Sequence, residues 1–253
     1  MSKRVFITGA TSGIGRATAE AFAKAGYDLA LCARRVDKLE EIKSALEAEH
    51  VDVYTFYLDI TDRIAVHDAV AEMLRVVGPI DVLVNNAGLA RGLDTFQEYA
   101  LDDIEEMINT NVKGLIYVTR NIIPSMVERN AGHIINLGST AGIYAYGKGS
   151  VYCATKAAVK TLSDGIRIDT IESDIKVTTI QPGIVETPFS EIRFHGNTEQ
   201  AANVYAGVEA LQPEDIADII VFAASQPKRV QISDITIMAT QQATGFTIAR
   251  KEK

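Results

Sequence analysis

Short apolar runs alternate with longer amphipathic stretches along most of the chain, and each change of period marks a new element. Arg4 to Thr8 (RVFIT) is β-rich, and after a cluster of glycines a helical pattern runs from Ile14 to Lys24 and stops at Gly26. Leu29 to Ala33 (LALCA) predicts a second strand. Leu39, Ile42 and Leu46 then recur at helical spacing among Glu and Lys, which predicts an amphipathic surface helix. Val53 to Leu58 predicts a third strand, and Val66, Val70, Met73 and Leu74 mark the helix after it. Val82 to Val84, His133 to Leu137, Lys176 to Gln181 and Asp234 to Met238 complete seven predicted strands, with long helical patterns between them. Apolar strands separated by helices predict an α/β chain: a doubly wound, seven-stranded parallel sheet with helices on both faces.

No linker, repeat or charge block divides the chain, so a single domain is expected over residues 1–253. The stretch 187–211 breaks the regular pattern. It is irregular, rich in small and polar residues, and follows a Pro-Gly pair. Long insertions of this kind are often lids over a site, the alternative being a surface excursion without a role.

Composition narrows the class. With 47% hydrophobic and 23% charged residues and only 6 Pro, the chain reads as a soluble globule and not a disordered one. Its 25 Lys and Arg against 33 Asp and Glu leave a net charge of −8, which disfavours nucleic acid as a partner while leaving room for a local basic pocket. No apolar run approaches the roughly 18 residues of a membrane span, and glycines interrupt the first apolar stretch too early for a signal peptide. Cys32 and Cys153 cannot make a disulfide framework, so a reduced, cytoplasmic protein is expected. His50, His67, His133 and His195 lack metal-ligand spacing, and no metal is expected.

The candidate chemistry begins at TGATSGIG (Thr8 to Gly15), where the first strand becomes the first helix. Gly9 and Gly13 let the backbone turn tightly and approach a pyrophosphate, and Gly15 lets helix and strand pack. Backbone N–H groups at the helix start suit a phosphate. At the end of the second strand stand Cys32-Ala33-Arg34-Arg35, without the acid that NAD binders use on the ribose 2′-hydroxyl. A guanidinium there pairs with a 2′-phosphate, so NADP is the expected cofactor. Tyr152 and Lys156, four residues apart in a helical segment, share one face. A free Tyr titrates at about 10, and an adjacent ammonium, helped by an oxidised nicotinamide, favours the phenolate. Ser139 closes the HIINL strand at its carboxyl end, where ligands of parallel sheets bind. Asn111 lies inside a helical stretch, where an Asn needs a specific partner.

Taken in order and spacing, TGATSGIG, the NNAG of Asn85 to Gly88, Asn111, Ser139, Tyr152-x-x-x-Lys156 and Pro182-Gly183 resemble the short-chain dehydrogenase/reductases over nearly the whole chain. The resemblance implies a Rossmann-type domain in which Ser139 positions the substrate oxygen and Tyr152 is the general acid/base. It implies that Lys156 lowers the Tyr pKa and binds the nicotinamide ribose, while Asn111 holds a water in a proton relay. Implied cofactor contacts are Gly9, Thr11, Ser12, Gly13, Ile14 and Gly15 in the turn, Arg34 and Arg35 after it, and Asp59 and Ile60 at the adenine. Asn86, Ala87 and Gly88 follow, then Pro182, Gly183, Val185 and Thr187 over the nicotinamide, together with Tyr152 and Lys156. A homotetramer built on long helices around 102–130 and 152–172 is also implied.

Within that family, MVERNAGHIINLGSTAG, the RFHGN of Arg193 to Asn197, LQPEDIAD and TQQATGF are similar to the NADP-dependent 3-hydroxy acid dehydrogenases that oxidise serine and allo-threonine. A small 3-hydroxy acid is therefore the expected substrate. A broad carbonyl reductase of ketones, diketones or sugars is the rival enzyme, and an NADP-binding redox sensor the rival outside catalysis; such sensors have lost the Tyr or the Lys, and both are intact here. A hydroxy acid needs a cation for its carboxylate, and Arg193, between Phe189 and Phe194, is the expected one. Alternatively Arg193 is a surface charge or pairs with Glu191 or Glu186. Cys153 is turned about 100° from Tyr152 and is expected to be a buried structural thiol. Asp102, Asp103, Glu105 and Glu106 are expected to face solvent in a first helical turn, and Met107, Ile108 and Ile116 to be core or subunit interface.

Overall fold

Alternate residues of the central strands are buried on opposite faces of one sheet, and this two-sided burial organises the chain. In the computed structural model, which describes residues 2–251, the strands are β1 (Arg4–Thr8), β2 (Asp28–Ala33), β3 (Val53–Tyr57), β4 (Val82–Asn85), β5 (Gly132–Leu137), β6 (Ile175–Pro182) and β7 (Asp234–Ile237). All pair in parallel, in the order β3-β2-β1-β4-β5-β6-β7. Each is within two residues of the run that predicted it. The helices are α1 (Gly13–Lys24), α2 (Val36–Leu46), α3 (Arg63–Val76), α4 (Leu101–Ile108), α5 (Leu115–Arg129), α6 (Ser150–Asp169), α7 (Phe189–Arg193), α8 (Thr198–Tyr205) and α9 (Pro213–Ser225).

Val5 and Ile7 of β1 pack with Phe22 of α1, Leu39 of α2, and Ile216 and Ile220 of α9. Phe6, between them in sequence, packs on the other face with Val66 and Val70 of α3 and Val118 and Ile122 of α5. Both faces are dry, so the strands read as unbroken apolar runs where a half-exposed sheet would alternate.

The chain runs outward from β1 through β2 to β3, then returns to place β4 on the other side of β1. The loops leaving β1 and β4 therefore diverge and open a crevice at the carboxyl ends of the strands, where ligands of such sheets bind.

Two segments differ from the sequence reading. Residues 187–211 are not irregular throughout: they hold α7 and α8. Each buries one small residue, Ser190 and Ala201 respectively, so neither carries the apolar stripe that betrays a helix. The start of α8 rests on a cap, the Asn197 side chain accepting from Gln200 N at 3.0 Å. Between α4 and α5 the helix widens into a π turn over Asn109–Gly114, and Asn111 sits in that turn.

Candidate active site

The glycine turn is held open by its neighbours. Gly9 (φ +67°) and Gly13 (φ +51°) occupy the left-handed region that favours glycine. A Cβ on Gly9 would stand 2.9 Å from Ala87 Cα, and one on Gly15 would run into the Gly9 carbonyl. Asn86 ties the two loops together, its side-chain amide donating to the carbonyls of Thr8 (3.0 Å) and Gly9 (3.1 Å). Thr8 Oγ1 in return accepts from Asn86 N at 3.1 Å and Ala87 N at 3.0 Å. The first amides of α1 point outward from this frame without intrahelical partners. Arg35 lies across the turn and donates to Thr11 Oγ1 at 2.8 Å and Ser12 Oγ at 3.2 Å. Arg34 is mostly exposed, 4.0 Å from Asp59. This end of the crevice is cationic and backed by open backbone amides, a cradle that a 2′-phosphate and a pyrophosphate fit.

A cavity of about 700 Å³ runs from this turn to α7. It is lined by Gly9, Thr11, Ser12, Gly13, Ile14, Arg34, Arg35, Asp59, Ile60, Asn86, Ala87, Gly88, Ser139, Tyr152, Lys156, Pro182, Gly183, Val185, Thr187 and Arg193. Two expected residues stand behind the wall. Gly15 packs under the turn, and Asn111 lies beyond Gly88, where a Cβ would meet Asn111 Oδ1 at 3.2 Å and Lys156 Nζ at 3.5 Å. The Asn111 side chain accepts from Leu89 N (2.8 Å) and donates to Leu89 O (2.8 Å) and Thr155 Oγ1 (3.1 Å). Both its amide hydrogens are used, so any water it holds must bind through the second Oδ1 lone pair or the main chain.

α6 carries Tyr152 and Lys156 into the deepest part, both nearly fully buried. Lys156 Nζ donates to the Leu137 carbonyl at 2.8 Å, 5.9 Å from the centre of the Tyr152 ring. Burial pulls its pKa down to about 8. Burial pushes the Tyr152 phenol up to about 12, opposed by the charge of Arg193 and by a hydrogen bond with Ser139. In the protein alone, then, desolvation outweighs the charge of Arg193, and Arg193, not the expected Lys156, is the cation that favours the phenolate. The Ser139 hydroxyl also accepts from Ala141 N at 3.1 Å, which fixes it on the turn after β5.

Arg193, the last residue of α7, stacks on two rings: its Cζ lies 5.0 Å from the Tyr152 centroid and 5.4 Å from that of Phe189. Nη2 donates to the Tyr146 hydroxyl at 3.1 Å, and the buried Nε has no partner among the described residues. Neither Glu191 nor Glu186 pairs with it; Glu186 accepts from Gln212 instead. Phe189 lines the cavity but Phe194 does not, because it follows the end of so short a helix. Cys153 is buried outside the cavity, its thiol pushed up by burial.

Other residues were not legible beforehand. Tyr146 reaches the cavity because Gly149 leaves room for its ring, and the only signal is an aromatic beside glycines. Gln242 braces the loop after β6 by accepting from Ile184 N at 2.9 Å, a contact across 58 residues that no local pattern marks. Asp103 and Glu106 do not face solvent as expected. Asp103 accepts from His195 at 3.1 Å, since the segment after α7 folds back onto α4, and Glu106 pairs with Arg91 of the loop after β4 at 2.6 Å.

The sequence profile of the short chain dehydrogenases matches residues 3–197. The NADP-dependent 3-hydroxy acid dehydrogenase of Schizosaccharomyces pombe is 41% identical over 252 residues, covering 99% of this chain and 97% of its own. A protein of the same name from Salmonella typhimurium is 43% identical over 248 residues, covering 97% and 99%. Among solved structures, the closed form of serine dehydrogenase complexed with NADP+ superposes with a TM-score of 0.92 at 38% identity, covering 98% of this chain and 100% of that one. An alcohol dehydrogenase from Thermococcus sibiricus, complexed with 5-hydroxy-NADP, gives a TM-score of 0.86 at 28% identity over 96% and 99%.

The buried ammonium makes a prediction about stability. Lys156 falls from an ordinary 10.5 to about 8 on folding, so between those values the unfolded chain binds more protons and stability rises with pH. The shift is worth on the order of 3 kcal/mol over that window, at about 1.4 kcal/mol per pKa unit. Measured by thermal melting, the wild type should gain stability relative to Lys156→Met as pH rises from 8 to 10. A flat or falling difference contradicts the assignment.

Proposed function

The chain belongs to the short-chain dehydrogenase family, and on that premise we propose that it transfers a hydride between NADP and the hydroxyl carbon of a small 3-hydroxy acid such as serine or allo-threonine. The observation that carries the substrate class is Arg193: a guanidinium stacked over the Tyr152 ring, without a carboxylate partner and with a buried Nε left unbonded. A buried donor without a partner is costly, and a planar carboxylate answers it with two parallel hydrogen bonds. The names carried by the relatives point the same way.

Arg34 and Arg35 would hold the 2′-phosphate, and the glycine turn with the first amides of α1 the pyrophosphate. NADP+, when bound, accepts the hydride. In that direction Tyr152, as the phenolate, takes the proton of the substrate hydroxyl, and Ser139 holds the same oxygen by a hydrogen bond. Arg193 stabilises the phenolate electrostatically, and because the phenolate is the base in this direction, oxidation should quicken toward alkaline pH. With its oxygen at Tyr152 and Ser139 and its carboxylate at Arg193, the substrate is fixed at two points, which sets the orientation of the reacting carbon. Phe189 and Ile192 cover this end of the cavity and exclude water.

The same reading makes 187–211 the substrate lid of a single domain and the protein a cytoplasmic homotetramer. Ile108 and Ile116, partly exposed near the α4–α5 junction, support the assembly. Among the described residues no helix is long and apolar enough to cross a membrane. A broad carbonyl reductase is the second reading, favoured by the apolar wall of Leu89, Leu93, Phe189 and Phe246.

Two measurements test these roles. Replacing Arg34 and Arg35 together by Ala should weaken NADP binding by about tenfold or more while leaving NAD binding nearly unchanged, as expected for loss of a charge-assisted pair; equal losses would remove the arginines from cofactor choice. Arg193→Ala should raise KM for 3-hydroxy acids at least about tenfold, the equivalent of about 1.4 kcal/mol, with little change in KM for a neutral ketone or alcohol, while kcat falls for both because the phenolate loses its cation. An equal change in KM on both substrate types would make Arg193 a support of the lid and favour the carbonyl reductase.

A further inference from the structure

Arg91 lies on the loop after β4, outside the cavity wall, and hydride transfer makes no use of it. Its guanidinium is mostly buried, with 19% of the side chain exposed. Nε donates to Glu106 Oε2 at 2.6 Å and Nη2 to Glu106 Oε1 at 3.1 Å, a bidentate pair that holds the Glu106 carboxyl below its ordinary range. The remaining edge of the fork points at α7, where Nη1 donates to the Ile192 carbonyl at 2.6 Å. The next residue continues the grip: Gly92 N donates to the Arg193 carbonyl at 2.8 Å. Arg91 is itself fixed from behind, its carbonyl accepting from the Tyr99 hydroxyl at 2.6 Å. A few residues on, His195 meets Asp103 at 3.1 Å.

These contacts have one consequence. The last carbonyls of a helix have no partner within it, and α7 is only five residues long, too short to hold its own geometry. Residues 91 and 92 satisfy two successive carbonyls at its end, those of Ile192 and Arg193. A guanidinium is a rigid planar fork, so Glu106 on α4 sets its plane and that plane aims Nη1 at the lid. The backbone of Arg193 is thereby tied to α4, and the side chain needs only to lie flat on Tyr152 and Phe189.

We propose that Arg91 is a positioning residue for substrate recognition: with Glu106 as its orienter, it fixes the backbone of Ile192 and Arg193 so that the Arg193 guanidinium faces the substrate carboxylate. The inference rests on the carboxylate role given to Arg193 above. A guanidinium displaced from its carboxylate loses hydrogen-bond distance and angle, so loss of the tie should be visible in KM. It acts through Arg193, and its effect should vanish when Arg193 is gone.

The test is a double-mutant cycle of Arg91→Ala and Arg193→Ala, with KM and kcat measured for allo-threonine and for a neutral secondary alcohol, and NADP affinity measured in parallel. Arg91→Ala should raise KM for allo-threonine about five- to tenfold, with kcat, the neutral alcohol and NADP affinity changed less than about twofold. In the Arg193→Ala background it should add nothing. Arg91→Lys, which can serve one partner at a time, should fall between Ala and the wild type, and Glu106→Gln should resemble it; these two decide the matter if Arg91→Ala does not fold. An acid-selective loss in Arg193→Ala with none in Arg91→Ala, or losses that simply add, overturns the positioning role alone. If Arg193→Ala itself fails to distinguish acid from alcohol, the carboxylate reading falls, and this inference with it.

Discussion

Desolvation of two ionisable groups side by side governs this site. Tyr152 and Lys156 are held nearly dry at the carboxyl end of β5, and the cost of burying charge moves both toward their neutral forms, the phenol to about 12 and the amine to about 8. Such a pair is chemically useful only if neighbours recover some of the charged form. The Leu137 carbonyl accepts from the ammonium, the Ser139 hydroxyl hydrogen-bonds the phenol in the sense that favours its phenolate, and Arg193 lays a second cation against the Tyr152 ring. Arg193 thus does two things from one position. It favours the phenolate, and it presents an unmatched cation where a substrate carboxylate would sit. On the proposed function, binding an anionic substrate would change the field at Tyr152 and so tie recognition to the state of the acid/base group.

The rest of the fold serves to keep these groups in register. The parallel sheet is buried on both faces, so its strands cannot slip without exchanging side chains between two differently packed cores. The turn after β1 and the NNAG loop after β4 meet across the switch point, joined by Asn86 and Thr8. The loop after β4 also carries Arg91 and Gly92, which hold the end of α7. One loop therefore touches the glycine turn at its beginning and the end of α7, with Arg193, at its other end, linking the two halves of the crevice through covalent backbone.

Much of this could be read from the chain. The strands were visible because burial on both faces makes them unbroken apolar runs, and the turn because Thr8 to Gly15 stands between a strand and a helix. Tyr152 and Lys156 declared themselves by helical spacing, Ser139 by its place at a strand end. What stayed hidden depends on contacts between distant segments. α7 and α8 bury one small residue each and leave no period to detect. Asp103 looks like a solvent-facing acid until His195, 92 positions later, folds over it, and Glu106 until Arg91 of the loop after β4 reaches across to it. Tyr146 and Gln242 reach the cavity through a gap at Gly149 and a return of the chain that local sequence does not encode.

In the proposed reaction the Tyr152 phenol carries the proton at the reacting oxygen. Tyr152→Phe removes that hydroxyl and little else, since the ring, its stacking with Arg193 and the fold remain. Turnover of a 3-hydroxy acid with NADP+ and the affinity for NADP, measured on the same preparation, test it directly. kcat should fall by at least about 10²-fold, the usual scale of general acid–base catalysis, while NADP affinity stays within about twofold of the wild type. Turnover within tenfold of the wild type would contradict it and place the proton transfer on another group.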